Sequence, residues 1–354
     1  PVPRGHNCVN NAMDALSAVT AYAQEHGAEF HFGTTVESLV VDEGGAVTGV
    51  LAKRGNGSTV LYNAKNVIVA TGGFCRNADM IDEYMPDYSG VYTEVGVGCT
   101  GEGLRMGLDI GADYVGHGGT NGILACPVEP GQSKLISNKA LWINSKGERF
   151  ANESGPYDYI LNAALTQPHH TVVDIWDSDY ETYLEQFDIH GCARVYPFEN
   201  GAPTNMTLET VKGINEGLLA EGYIVKADTI EELAKGLGIP AENLKKTVER
   251  QNENYDNQVD PDFGKEAFRL SPVRKAPFYG VRTSGYMLCT LDGITINENF
   301  QAVNEEGEAI EGLYVTGVDS GSYYAHTYPN MSTGNCCGRS VTFARMIGKA
   351  LAAK

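Results

Sequence analysis

Gly312-Leu313-Tyr314-Val315-Thr316-Gly317, then Tyr323-Tyr324-Ala325-His326-Thr327-Tyr328-Pro329, then Ser332-Thr333-Gly334-Asn335 is the stretch on which the reading of this chain turns. The first run is apolar and closed by glycine, the pattern of a buried strand that ends where backbone must approach something closely. A helix is expected from Gly338 to about Ala353, with Val341, Ile347 and Leu351 spaced among small residues. Arg345, Lys349 and Lys354 gather towards its end, where cations suit the negative pole of a helix, so the positive pole lies near Gly334-Asn335. A strand, a glycine turn and an open helix start together make a seat for an electron-rich group.

A second corner of this kind lies upstream. Asn66-Val67-Ile68-Val69-Ala70-Thr71-Gly72-Gly73 is an apolar strand meeting a Gly-Gly turn, the place where an open α/β sheet exposes backbone to a ligand. Before it, Asn10 to His26 has helical spacing closed by Gly27. Glu29 to Gly33 and Thr34 to Val41 read as strands, and Asp42-Glu43-Gly44-Gly45 turns the chain into a returning strand, Ala46 to Leu51. Gly96-Val97-Gly98-Cys99-Thr100-Gly101 matches a dinucleotide fingerprint by letter only: no clear buried strand precedes it, and no acid follows at a second strand. A helix from Leu104 to Ile110 is expected after it.

From about Val115 to Ser284 the alternation of strand and helix gives way to a mixed segment. Leu141 to Asn144 and Val172 to Trp176 look like strands; Thr207 to Glu221, Ile230 to Leu237 and Ala241 to Asp256 look like helices. The expected fold class is α/β with an α+β cap: a partial Rossmann-like domain over 1–114 and 285–354, and a cap over 115–284 with hinges near His117 and Gly285.

These motifs, in this order, resemble the fumarate reductase/succinate dehydrogenase flavoprotein family, and within it the 3-ketosteroid dehydrogenase branch, where a His-Thr-Tyr-Pro run precedes a glycine turn and a final helix. The resemblance runs from about Gly33 to the end and implies FAD as cofactor. It assigns Ala70, Thr71, Gly72, Gly73, Gly317, Asp319, Gly334 and Asn335 to the flavin, whose reduced pyrimidine end suits the positive helix start. The family's pyrophosphate-binding strand and glycine loop belong before residue 1, so the chain reads as a fragment, a clipped chain or half of a split flavoprotein. That segment, as a separate chain, is then a candidate partner.

The resemblance also bears on substrate. Gly147-Glu148-Arg149-Phe150-Ala151-Asn152-Glu153-Ser154-Gly155-Pro156-Tyr157 follows the family's G-x-R-F-x-N-E run. Fumarate reductases place an arginine proton donor four residues after the Glu; the ketosteroid branch, like this chain, places a tyrosine, here Tyr157. The carboxylate-binding His of the fumarate reductases corresponds to Cys289, and their carboxylate-gripping Arg to Met331. Without those cations the cost of desolvating a dianion is uncompensated, which favours a neutral, largely apolar ketone or enone. Tyr328 and the Ser332 N–H correspond to the branch's pair of donors to a keto oxygen, a pairing that stabilises an enolate as an oxyanion hole does. Tyr324 and His326 would line the site.

Hydride would pass between flavin N5 and the β-carbon, with Tyr157 exchanging the proton at the neighbouring carbon. A packed tyrosine at a helix start and a structural aromatic cluster stay open as plainer readings. So do a reductase of unsaturated acids, gripped by Arg149, Arg194 or Arg282, and a non-catalytic flavoprotein fragment. The electron donor or acceptor is not indicated.

Composition narrows the field. Over 354 residues, 42% hydrophobic and 20% charged content is ordinary for a soluble globular protein of about two domains. A formal net charge of −19 disfavours nucleic acid and anionic lipid as partners. No stretch approaches the roughly 20 apolar residues of a membrane span. Eight cysteines lack any C-x-x-C pair, so zinc and iron–sulfur sites are poorly supported, and no metal is expected from His169-His170, His190, Asp174 or Asp177. Adjacent Cys336-Cys337 read as small residues beside a cofactor, with redox activity the minor alternative.

Overall fold

The computed structural model describes residues 12–93, 95–129, 132–134, 141–155, 157–187, 208–326, 328 and 334–353. The class is α/β, as the sequence predicts. Its organising element is a parallel pair: Val67–Val69 lies beside Ala309–Val315 in the register Leu313↔Val67, Tyr314↔Ile68 and Val315↔Val69. Some 240 residues separate the two strands; Val69 is buried at the end of the first, and Leu313, Tyr314 and Val315 are buried on both faces of the second. Gln301–Val303 adds antiparallel to the other edge of Ala309–Val315. Both strands of the pair end at a glycine turn on the same side, which brings the two corners read from the sequence together.

A three-stranded antiparallel meander of Thr34–Val41, Val47–Arg54 and Thr59–Asn63 flanks this unit. Its first turn follows from local chemistry: Asp42 Oδ1 accepts from the N–H groups of Gly44 at 2.8 Å and Ala46 at 3.0 Å, and Gly45 takes φ +84°. Glu29 to Gly33, expected as a strand, is irregular and ends in a turn. Among the described residues no strand pairs with it.

The third unit is a seven-stranded sheet whose spine is the 13-residue strand Phe278–Thr290. Along its first half the spine pairs with Thr171–Asp177 on one edge and Ile224–Ala227 on the other. Along its second half it pairs with Thr120–Glu129 and, in parallel, with Tyr92–Thr93. Leu141–Asn144 and Gln132–Lys134 complete the sheet. The boundary expected at 284/285 falls inside this continuous strand, where a Cβ on Gly285 would stand 2.7 Å from Leu161. The helix Tyr157–Leu165 packs on that face, burying Leu161 and Ala164 completely.

One core joins the parallel pair to the near end of the spine through Phe74, Met80, Leu104, Leu161, Met287, Ile294 and Leu313; a second lies under the helices Ile230–Leu237 and Ala241–Asn257. Each fully buried Leu or Ile there contributes about 1.5–3 kcal/mol. Among the described residues no helix is long and apolar enough to cross a membrane.

Candidate active site

Asp319 ties the two glycine corners into one. It sits in the short turn Gly317–Asp319 after the C-terminal strand and is 1% exposed. Its carboxylate accepts from the backbone N–H of Thr71, from Thr71 Oγ1 at 2.9 Å, and from the N–H groups of Gly72 and Gly73 at 2.9 and 3.2 Å. Gly72 and Gly73 have φ +107° and +79°, and a Cβ on Gly73 would lie 2.6 Å from Thr290 Oγ1, so this corner needs glycine. Ala70 and Thr71 are exposed at its rim.

The final helix, Asn335–Ala352, is anchored to the same turn by a residue the sequence reading passed over. Arg339 is 4% exposed and donates to the carbonyls of Gly317 at 2.6 Å and Ser320 at 3.2 Å. Its guanidinium also lies over the rings of Tyr323 and Tyr324 at 5.2 and 4.9 Å. The available signal was an arginine one turn into a helix start otherwise made of small residues. Gly334 caps that helix in the left-handed region, φ +78°, and brings no side chain of its own to the first turn. Asn335 Oδ1 accepts from the Tyr323 hydroxyl at 3.1 Å.

Against this helix start sits a small buried cluster of Cys289, Leu291, Tyr324 and Tyr328, with Cys336 and Val318 packed on it. Tyr328, 6% exposed, accepts at its hydroxyl from the Cys336 N–H at 2.9 Å. Tyr324 is 7% exposed, and its hydroxyl has no hydrogen-bond partner among the described residues. Burial, with the sulfur of Cys336 and the phenol of Tyr328 beside it, pushes the Tyr324 phenol well above its ordinary range, so it stays protonated. Cys289 Sγ is 3.8 Å from Cys336 Sγ.

A polar strap runs from this cluster to the segment around His117. Asp292 accepts from the Tyr114 hydroxyl and from the N–H groups of His117 and Gly118, at 3.0, 3.1 and 2.9 Å, holding the expected hinge near His117. His326, exposed, bonds the His117 carbonyl at 2.8 Å and Asn162 at 3.4 Å. Asn162 belongs to the helix Tyr157–Leu165 and also accepts from Tyr88 at 2.5 Å. The helix that begins at Tyr157 is thereby pinned to the segment that carries Tyr328. The Tyr157 side chain, Ser332 and Met331 lie outside what is described.

Arg149, one of the arginines considered as a carboxylate grip, is held in a buried ion-pair network with Glu153 and Asp260. Arg149 pairs with both Glu153 and Asp260 at 2.9 Å, and Lys265 pairs with Glu153 at 3.3 Å, with all four side chains at most 5% exposed. Burial pushes Glu153 up, but Lys265 and Arg149 outweigh it and hold the carboxyl below its ordinary range. Arg149 is thus committed to that buried network. Arg282 donates to the Leu237 carbonyl, and Arg194 lies outside the described residues. Among the described residues no group of three or more His, Cys, Asp or Glu is placed to hold a metal.

A model of the FAD binding domain family matches residues 3–334. The chain is 31% identical over 348 residues to vinyl phenol reductase of Lactiplantibacillus plantarum, covering 94% of this chain and 69% of that protein. It is 30% identical over 328 residues to urocanate reductase of Eggerthella lenta, covering 90% and 50%. The crystal structure of 3-ketosteroid delta1-dehydrogenase from Sterolibacterium denitrificans in complex with 1,4-androstadiene-3,17-dione matches with a TM-score of 0.78 and 26% identity, over 95% of this chain and 62% of that one. The chain thus spans about half to two thirds of the length of these proteins.

Proposed function

The chain belongs to the FAD binding domain family, whose relatives are FAD-dependent oxidoreductases, and on that footing we propose that it acts on a carbon–carbon bond conjugated to the oxygen of a neutral substrate, a ketone or enone first of all. The carrying observation is the buried pair of phenols in an apolar cluster, Tyr328 held by the Cys336 N–H and Tyr324 with a hydroxyl that has no partner among the described residues, while Arg339 beside them is bonded to the Gly317 and Ser320 carbonyls.

The residues fit FAD. Two strand ends meet at an exposed corner, and the positive start of Asn335–Ala352 is capped by Gly334 with the Cys336 N–H given to the Tyr328 hydroxyl, a pairing suited to the electron-rich end of a flavin ring. When bound, FAD supplies hydride exchange. In this reading Ala70, Thr71, Gly72, Gly73, Gly317 and Asp319 shape one side of its seat, and Gly334 and Asn335 the other.

The protein's own part is orientation and proton handling. Tyr328 donates to the substrate oxygen, aided by the Ser332 N–H, so that charge developing on that oxygen meets fixed donors. Tyr157 exchanges the proton at the carbon next to the hydride-accepting one. Cys289 and Met331 stand where a dicarboxylate enzyme carries cations, and Arg149 is neutralised by Glu153 and Asp260. An acid is therefore poorly served.

Similarity to vinyl phenol reductase favours a second, overlapping reading: a vinyl group conjugated to a phenol, also neutral and also able to place charge on oxygen. A single experiment separates these readings. The full-length protein with FAD is reduced without oxygen and mixed in turn with a steroid enone, a vinyl phenol, fumarate and urocanate, while flavin absorbance is followed. Reoxidation by the enone or the vinyl phenol alone is the expected result; reoxidation by an acid and by neither neutral compound would overturn the proposal.

A further inference from the structure

We propose that Cys289 and Cys336 are a dithiol that closes reversibly to a disulfide and locks the site. Cys289 is the penultimate residue of the spine strand, and Cys336 is the second residue of the final helix. Their sulfurs are 3.8 Å apart, so closing to a bond of about 2.05 Å needs an approach of roughly 1.8 Å. Each belongs to a different anchored element, held by the Thr120 bond to the Cys289 carbonyl at 2.6 Å and by the Cys336 N–H bond to Tyr328.

The environment singles out Cys336 as the attacking sulfur. It is half-buried, and it lies at the positive end of a helix with Arg339 on the next turn. The hydrogen bond from Cys289 and the charge of Arg339 lower it against the opposing effect of burial, to about 7. The buried thiols Cys75 and Cys126 are pushed the other way, to about 12 and about 11.

The oxidant is a low-molecular-weight disulfide. The Cys336 thiolate attacks one of its sulfurs, forming a mixed disulfide and expelling one small thiolate, which takes up a proton. Cys289 then gives up its proton, its sulfur attacks Cys336 Sγ, and the second small thiol leaves. The two cysteines lose two electrons and two protons, and the small disulfide gains both. The product staples the spine to the helix start across the face of Tyr324 and Tyr328, the groups that the proposed function assigns to substrate. The cross-link itself does not rest on that assignment; its effect on turnover does.

The test uses full-length FAD-loaded protein equilibrated anaerobically in glutathione buffers of rising oxidised fraction, then acid-quenched and alkylated. Trypsin leaves Cys289, Cys336 and Cys337 on one peptide, because no Lys or Arg lies between Arg282 and Arg339. A Glu-specific protease, which cuts between them, is therefore used before mass mapping. The expected result is a Cys289–Cys336 cross-linked peptide, with turnover falling about tenfold or more as it forms and returning with dithiothreitol. The ratio of oxidised to reduced turnover should approach one in Cys289→Ser and stay low in Cys337→Ser. A Cys336–Cys337 pair, a stable glutathione adduct at Cys336, or both thiols alkylated throughout would overturn the cross-link. A cross-link that leaves turnover unchanged would overturn the lock. If no neutral substrate turns over, the proposed function fails, and the mass map still decides the cross-link.

Discussion

The hydroxyl of Tyr328 accepts a hydrogen bond at 2.9 Å from the backbone N–H of Cys336, eight residues further along the chain. A bond accepted from a helix start polarises the phenol and strengthens whatever bond its own proton gives. Tyr328→Phe keeps the packing and removes the donor. Turnover should fall by about a hundredfold, with flavin content unchanged, as measured by single-turnover reoxidation. Wild-type rates in this variant would remove Tyr328 from the chemistry.

Tyr324 offers a sharper division between stability and function. Its buried hydroxyl has no partner among the described residues, and a polar group left in that state is a net cost to the fold. Tyr324→Phe should therefore melt at the same temperature as the wild type or higher. If that hydroxyl is reserved for substrate, the same variant should show a KM raised several-fold. A variant that is destabilised with an unchanged KM would mark the hydroxyl as structural.

Asp319 is the hinge-pin of the two corners, accepting from Thr71, Gly72 and Gly73 while it sits 1% exposed. Asp319→Ala strands those N–H groups and should cost about 2–3 kcal/mol in chemical denaturation. Flavin retention on gel filtration should drop with it, since the glycine corner is then unsupported. Asp319→Asn keeps one acceptor and should fall between the two.

What could be read from the sequence was what local chemistry settles. The Asp42–Gly45 turn, the helix Ile230–Leu237 with Thr229 capping Glu232, and the Gly72-Gly73 corner each announce themselves within a few residues. The spine strand was less legible, because its partners come from four distant segments and its length follows from them. Arg149 shows the same limit. Its motif spacing was visible, but Asp260 lies 111 residues away and nothing local marks it as a partner. Asp319 was placed beside the cofactor by resemblance alone; its clamp on Gly72 and Gly73 became visible only with the fold.

The cap network gives a pH prediction. Glu153 and Asp260 are both held below their ordinary carboxylate values: burial alone would raise each, and Lys265 with Arg149 for the first, and Arg149 for the second, reverse it. A depressed folded pKa contributes stability that is present above the unfolded value and lost as pH falls through the folded one. The fold around this network should therefore weaken in acid, below the ordinary carboxylate range, and not near neutrality. Glu153→Gln leaves Lys265 and Arg149 short of a charge partner inside the core and should cost about 3–5 kcal/mol. Denaturation at pH 7 and at about pH 2.5 checks both, because the variant should have lost Glu153's share of the difference between them while Asp260's share remains.

Cys336 provides the last prediction, one that needs no substrate. Alkylation requires the thiolate, so its rate follows the ionised fraction and rises with pH through the thiol's pKa. Iodoacetamide labelling of Cys336, read by mass on the Glu-specific digest, should show a midpoint near pH 7, where its thiol is held at about 7. The largest cause of that shift is the hydrogen bond from Cys289, ahead of the opposing effect of burial and the help of Arg339. Cys289→Ala removes that bond and leaves burial, so the midpoint should move up and labelling at pH 7 should slow. Cys75, pushed to about 12 by burial, should stay unlabelled across the same range and serves as the internal control. A Cys336 profile that does not move when Cys289 is replaced would mean that the two sulfurs are not in contact in solution, and the dithiol would lose its physical basis.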